Sequence, residues 1–215
     1  MNTIDTSDRT SRGIVLRVEQ PYGIQDVIYS SIGISGTYDS RDNAIATQHG
    51  AYFTLGNLWN PEIFDNRYAY TKAYSEFRGF FTAPVLGGIT LAVRARGEKI
   101  FGNRFPFYDA SFLGGINDLR GYVRERFAGD AAVLATAELR ANLFKYALIT
   151  PGMFGVHVFA EEGRVFYDGE TSEARHGSFG GGIWLAPLEF ANTVSLTFAR
   201  SPDQLTFSLA GGFAF

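Results

Sequence analysis

The sequence predicts an all-β fold: an antiparallel transmembrane β-barrel of about eleven strands, incomplete as a closed barrel within this chain. Three observations predict it. Apolar and polar residues alternate with a period of two through segment after segment. The polar phase of several segments carries full charges, among them Arg94, Arg96, Glu138, Arg140 and Glu161, which suits a wet lumen. Aromatic residues gather near segment ends, at Trp59, Tyr68, Phe80, Phe81, Phe166 and Tyr167, as in an interfacial girdle.

Composition agrees. Hydrophobic residues make up 46% of the chain and charged residues only 19%. Gly is 25 of 215, well above the usual ~7%. Many short strands with tight turns need that balance. No apolar run is long enough for a transmembrane helix, which says nothing against strands. Cysteine is absent, so disulfides, thiolate catalysis and Cys-ligated metals are excluded. A net charge of −3 makes no electrostatic case for nucleic acid.

Residues 1–11 are polar and predicted to be disordered, and 12–215 form one barrel domain. The opening MNTIDTSDRT is not a signal peptide, so the chain reads as a fragment or truncated domain. Strands are predicted at 13–19 (Ile14, Leu16, Val18 on one face), 27–38, 51–58 and 68–80. Residues 88–96 alternate most clearly, with Ile89, Leu91, Val93 and Ala95 against Thr90, Ala92, Arg94 and Arg96. Further strands follow, each with one apolar and one polar face. Val133, Ala135, Ala137 and Leu139 oppose Thr136, Glu138, Arg140 and Asn142. Phe154, Val156 and Val158 oppose His157, Phe159 and Glu161. Phe179, Ile183 and Leu185 oppose Ser178, Gly180, Gly182 and Trp184. Val194, Leu196 and Phe198 oppose Ser195 and Thr197. Leu205, Phe207 and Leu209 continue in phase to Phe213 and Phe215, against Thr206, Ser208, Ala210 and Gly212. The same period would suit a soluble β-sandwich with its apolar faces inward, the alternative fold.

Between the strands lies FYDASFLGGINDLRGYVRERFAGD, residues 107–130. A strand-like 107–112 enters Gly114-Gly115, and a polar segment centred on Leu119-Arg120-Gly121-Tyr122 follows. Loops of this length are functional or disordered. Leu119, Tyr122, Val123 and Phe127 supply apolar contacts, so this one is ordered.

GGINDLRGY, the alternating strand with Glu138, the FAEEG of the next strand and a terminal Phe together resemble the BamA/TamA family of outer-membrane insertases and translocators. The resemblance runs from about Tyr38 to Phe215. It implies a bacterial outer-membrane barrel that inserts or translocates proteins, in which a weak seam between first and last strands opens and client strands pair with the edge. Outer-membrane lipid, client outer-membrane or secreted proteins and periplasmic assembly factors are the implied partners. No enzymatic activity and no cofactor are implied. The loop arginine, here Arg120, is held in such proteins by acids of the next two strands, here Glu138 and Glu161. Their positions in the polar phase of successive strands put both acids in one lumen, and a guanidinium can fork between two carboxylates. Phe159-x-Glu161-x-Gly163 resembles the family's F-x-D-x-G, with a longer acid. Ser208, Phe213 and Phe215 resemble its C-terminal assembly signal, with Ala210 where Gly is usual. The membrane domain of patatin-like autotransporters, an anchor for an enzyme, is the alternative within this barrel type.

Other constellations carry no chemistry. His49, His157 and His176 lack metal-ligand spacing, and His157 reads as a lumenal polar residue. Gly180-Gly181-Gly182 is not a phosphate loop, since no helix or Lys-Ser/Thr follows.

Overall fold

The structure, a computed structural model, describes residues 28, 30–64, 66–147, 150–169 and 174–215. The predicted polar segment 1–11 and the strand at 13–19 lie outside the described residues. Among the described residues eleven strands form: β1 (Ile32–Asp39), β2 (Gly50–Asn60), β3 (Tyr70–Ala83), β4 (Ile89–Phe101), β5 (Ser111–Leu113), β6 (Phe127–Gly129), β7 (Ala131–Ala147), β8 (Pro151–Phe166), β9 (His176–Pro187), β10 (Val194–Arg200) and β11 (Leu205–Gly211). Nine build one sheet in the order β1-β2-β3-β4-β7-β8-β9-β10-β11, and every neighbouring pair is antiparallel. With nine strands alternating in direction, β1 and β11 run the same way. Among the described residues they are not paired, and the sheet is an open barrel wall.

The two faces of this sheet are the reverse of a soluble protein's. Along β7, Ala132, Leu134, Thr136, Glu138, Arg140 and Asn142 are buried, while Val133, Ala135, Ala137 and Leu139 are exposed. Leu139 is 47% exposed, and the same phase continues along the sheet, where Val158 is 56% exposed, Phe179 63% and Phe207 77%. In water each such side chain would forgo roughly half or more of the about 1.5–3 kcal/mol that full burial gives. Facing lipid it forgoes nothing, and this excludes the sandwich alternative. The charged phase points to the concave side, where Arg94, Glu138, Arg140, His157 and Glu161 are buried.

One predicted girdle residue faces the other way. Phe80 is on the inner face, 7% exposed, while Phe81 next to it is 66% exposed. Consecutive strand residues point to opposite faces, so two adjacent aromatics cannot both meet lipid.

The concave side is filled by the 102–130 connection. It is not the plain strand and loop that the sequence predicts. Pro106 precedes a single 3-10 turn, Phe107–Asp109, and β5 is only the three residues that pair with β6. The resulting hairpin holds a small core of Leu113, Leu119, Tyr122, Ala132 and Leu134, with Phe127 and Val165 against it.

Candidate functional site

The loop between β5 and β6 crosses the inside of the sheet, and its central residues bond to strand after strand. Entry to it needs glycine. Gly114 and Gly115 have φ of 118° and 107°, a region that side chains with a Cβ rarely adopt. The Gly115 N–H then donates to the Leu119 carbonyl at 3.2 Å, and the Tyr122 N–H donates to the same carbonyl at 3.0 Å. These bonds fold the chain into a compact turn with Arg120 and Gly121 at its tip. Leu119 is fully buried in the core beneath it.

Arg120 is brought together with both predicted acids. Its Nε donates to Glu161 Oε2 at 3.0 Å and its Nη1 to Glu138 Oε2 at 2.5 Å. Its backbone N–H also donates to Glu161 Oε1. The side chain of Arg120 is 4% exposed and those of the two acids 0%. The face of the guanidinium rests on the Phe159 ring, with Cζ 3.3 Å from the centroid. Phe159 and Glu161 share one face of β8 two residues apart, so one strand supplies both the stacking surface and the carboxylate. Charge-assisted, forked contacts of this kind are stronger than neutral hydrogen bonds and fix orientation as well.

The remaining motif residues have steric roles. A Cβ on Gly121 would stand 2.6 Å from Ser178 Cβ and 2.9 Å from Ser201 Cβ, so only glycine lets the loop backbone approach β9. A Cβ on Gly163 would meet Leu113 Cδ1 at 2.9 Å and the Val133 carbonyl at 3.0 Å. That glycine leaves room for the hairpin on β8. Tyr122 packs edge-on to Phe127 at 5.0 Å, and its hydroxyl donates to the Gly177 carbonyl at 3.3 Å.

Several partners of the loop are not singled out by the sequence. Ser178 donates to Glu161 Oε1 at 2.5 Å and accepts from the Gly121 N–H at 3.1 Å. Ser201 donates to the Gly121 carbonyl at 2.8 Å and Thr206 to the Arg120 carbonyl at 2.6 Å. On the other flank Arg96 binds Asp118 at 2.7 Å, and Arg94 reaches Asp118 and the Asn117 carbonyl. The loop is therefore tied to β4, β7, β8, β9, the β10–β11 turn and β11. The polar phase of β4 and β9 already places Arg94, Arg96 and Ser178 in the lumen. Asp118, two residues before Arg120, is the acid that could have been matched to the two β4 arginines.

Two of the three assembly-signal residues leave the predicted phase. Ser208 is on β11, opposite Thr197. Phe213 and Phe215 do not continue the outward phase of Leu205, Phe207 and Leu209. The strand ends at Gly211, and Gly212, with φ of 85°, turns the chain inward. Phe215 is 6% exposed and packs on Phe80. The parity of a strand holds only while the strand lasts, and a Gly-Gly pair ends it. His157 is lumenal and buried, and its Nε2 pairs with Thr197 Oγ1 at 3.1 Å. Among the described residues no cluster of His, Cys, Asp or Glu could hold a metal ion.

The Omp85 superfamily domain matches residues 5–215. The chain belongs to the Omp85 superfamily. No curated protein matches it. Among solved structures it is similar to BamA from Haemophilus ducreyi lacking POTRA domains 1–3. That likeness has a TM-score of 0.67 at 15% identity, over 85% of this chain and 42% of the other. The chain thus spans less than half the length of that relative, and the likeness concerns the fold. The BamA/TamA-type resemblance read from the loop and strands agrees with both findings, and the barrel is one of the bacterial outer membrane.

Proposed function

We propose that this chain is the C-terminal barrel part of an outer-membrane insertase or translocator, with residues 12–215 forming one barrel domain. It acts by presenting a sheet to other polypeptides, not by breaking bonds, and it uses no cofactor. Its partners on this reading are outer-membrane lipid, client outer-membrane or secreted proteins, and periplasmic assembly factors. One observation carries the reading: the GGINDLRGY loop is folded into the lumen and Arg120 is clamped by Glu138 and Glu161. The loop braces the wall from β4 to β11, and on this reading the brace keeps the wall's curvature while one edge exchanges partners. Membership of the Omp85 superfamily supports protein assembly or translocation in general.

The test uses the complete open reading frame that contains this chain, reconstituted in liposomes. A denatured client barrel is added, and its protease-resistant, heat-modifiable form is counted. We expect insertion above empty liposomes, and its loss in Arg120→Ala. Transit of a soluble client segment into the liposomes would be the translocator form of the same activity. Neither insertion nor transit, with the barrel folded, would leave the patatin-type anchor as the better reading.

A further inference from the structure

Arg140 repeats the chemistry of Arg120 one step along β7, and what it holds is not the loop. β11 ends at Gly211, and the next residues turn under the sheet. The Gly212 N–H donates to the Thr193 carbonyl at 2.7 Å, and Ser195 Oγ donates to the Gly212 carbonyl at 2.5 Å. Phe213 then meets His157 at 5.7 Å and Trp184 at 5.8 Å, both edge-on. Arg140 Cζ lies 3.9 Å from the Phe213 centroid. The Phe215 main-chain oxygen accepts from Arg140 Nη2 at 3.0 Å. Arg140 Nε donates to Glu138 Oε1 at 2.7 Å, while Glu138 Oε2 accepts from Arg120. The Arg140 side chain is 3% exposed. One carboxylate therefore faces two guanidiniums, one for each of its oxygens.

We propose that Gly212–Phe215 is an internal strap seated in a receptor built by Arg140, Phe80, His157 and Trp184. Glu138 holds strap and loop with one carboxylate, because it aims Arg140 at the strap and accepts Arg120 from the loop. The ligand class of this receptor is a chain segment bearing aromatic side chains. A planar guanidinium can donate to a main-chain oxygen while its flat face lies on a ring, a combination that the point charge of a lysine ammonium does not reproduce. The two arms are not equivalent. Among the described residues Arg120 Nη2 has no hydrogen-bond partner. If Arg140 is lost, Glu138 can turn and fork onto both terminal nitrogens of Arg120, so the loop stays held while the strap is freed. If Glu138 is lost, both are freed.

The part that concerns the loop rests on the clamp reading above, and the part that concerns the strap does not. The chain has no cysteine, so Ala214→Cys gives a single label site on the strap. Maleimide labelling of this site and chymotryptic cleavage at Tyr122 are measured together on the folded barrel. Arg140→Ala should speed labelling about tenfold, the factor carried by one hydrogen bond to a charged group, and leave cleavage unchanged. Glu138→Gln should speed both, and Glu161→Gln cleavage alone. Arg140→Lys keeps the charge beside Glu138 but cannot fork, so it should speed labelling about threefold. If Arg140→Ala does not fold, Arg140→Lys and Glu138→Gln carry the test. Labelling unchanged in Arg140→Lys and Glu138→Gln would overturn the strap. Faster cleavage but unchanged labelling in Glu138→Gln would overturn the shared carboxylate. Cleavage unchanged in both Arg120→Ala and Glu161→Gln would remove the clamp and leave the strap standing.

Discussion

Replacing Arg120 with alanine removes two charge-assisted hydrogen bonds, to Glu161 at 3.0 Å and Glu138 at 2.5 Å, and a stack on Phe159. A wet lumen would make this loss about 1.5–3 kcal/mol, the range for hydrogen bonds to charged groups. The lumen is not wet at this point, since the three side chains are 0–4% exposed. Breaking a buried pair typically costs about 3–5 kcal/mol, because it leaves a charge uncompensated. Here each acid keeps a partner: Glu161 retains the loop N–H and Ser178, and Glu138 retains Arg140. We therefore expect the low end, about 3 kcal/mol, which is roughly a hundredfold in the equilibrium for opening the loop. Chymotrypsin reads this directly, because Leu119 and Tyr122 are buried in the native loop, at 0% and 5% exposure. When opening is fast relative to cleavage, the nicking rate follows the open population. Cleavage at Tyr122 in intact membranes should rise about a hundredfold while the heat-modifiable gel shift is kept. A change below about threefold would correspond to well under 1 kcal/mol and would refute the clamp.

Arg120→Lys should recover less than half of that loss, since an ammonium cannot fork to both acids, and urea unfolding midpoints will show it. The charge swap Arg120→Glu with Glu161→Arg should give no recovery in the same assay. Residue 161 also accepts from the residue 120 N–H and from Ser178, which a guanidinium cannot do. Val158→Arg, in the middle of β8 on the lipid face, should cost about 2–4 kcal/mol, and Val194→Arg at a strand end about 0–1 kcal/mol, by folding into lipid vesicles. Ser195→Arg will not be mild, although it points inward, because Ser195 is buried against Gly212. With a cysteine at Asp168, whole cells should label. With one at Leu188, labelling should need permeabilisation, because the two positions are at opposite ends of β8 and β9.

The long strands were legible because a two-residue period repeats many times in each. From Ile89 to Phe207 it assigns the faces correctly, and it puts Glu138 and Glu161 on one side. The hairpin of β5 and β6 is invisible to that period, because three residues make no pattern. Its existence depends on Leu113 and Phe127 meeting a core that the loop itself completes. Arg120 was legible through its motif, but its surroundings were not. That Asp118 answers Arg94 and Arg96 depends on how far the loop descends, which no local rule sets. Gly212 marks the other limit. The alternation of Leu205, Phe207 and Leu209 invites extrapolation to Phe213 and Phe215, and a positive φ at one glycine reverses it.

Residues 118–122 lie inside the barrel, tied to its wall. Limited trypsin digestion of intact membranes, with the cut sites assigned by mass spectrometry, tests it most directly. The loop carries its own controls: the side chain of Arg124 is 88% exposed and that of Arg126 54%, against 4% for Arg120. Cleavage is expected after Arg124 or Arg126 and none after Arg120 while the barrel stays folded. Cleavage after Arg120 at a rate comparable with Arg124 would contradict it.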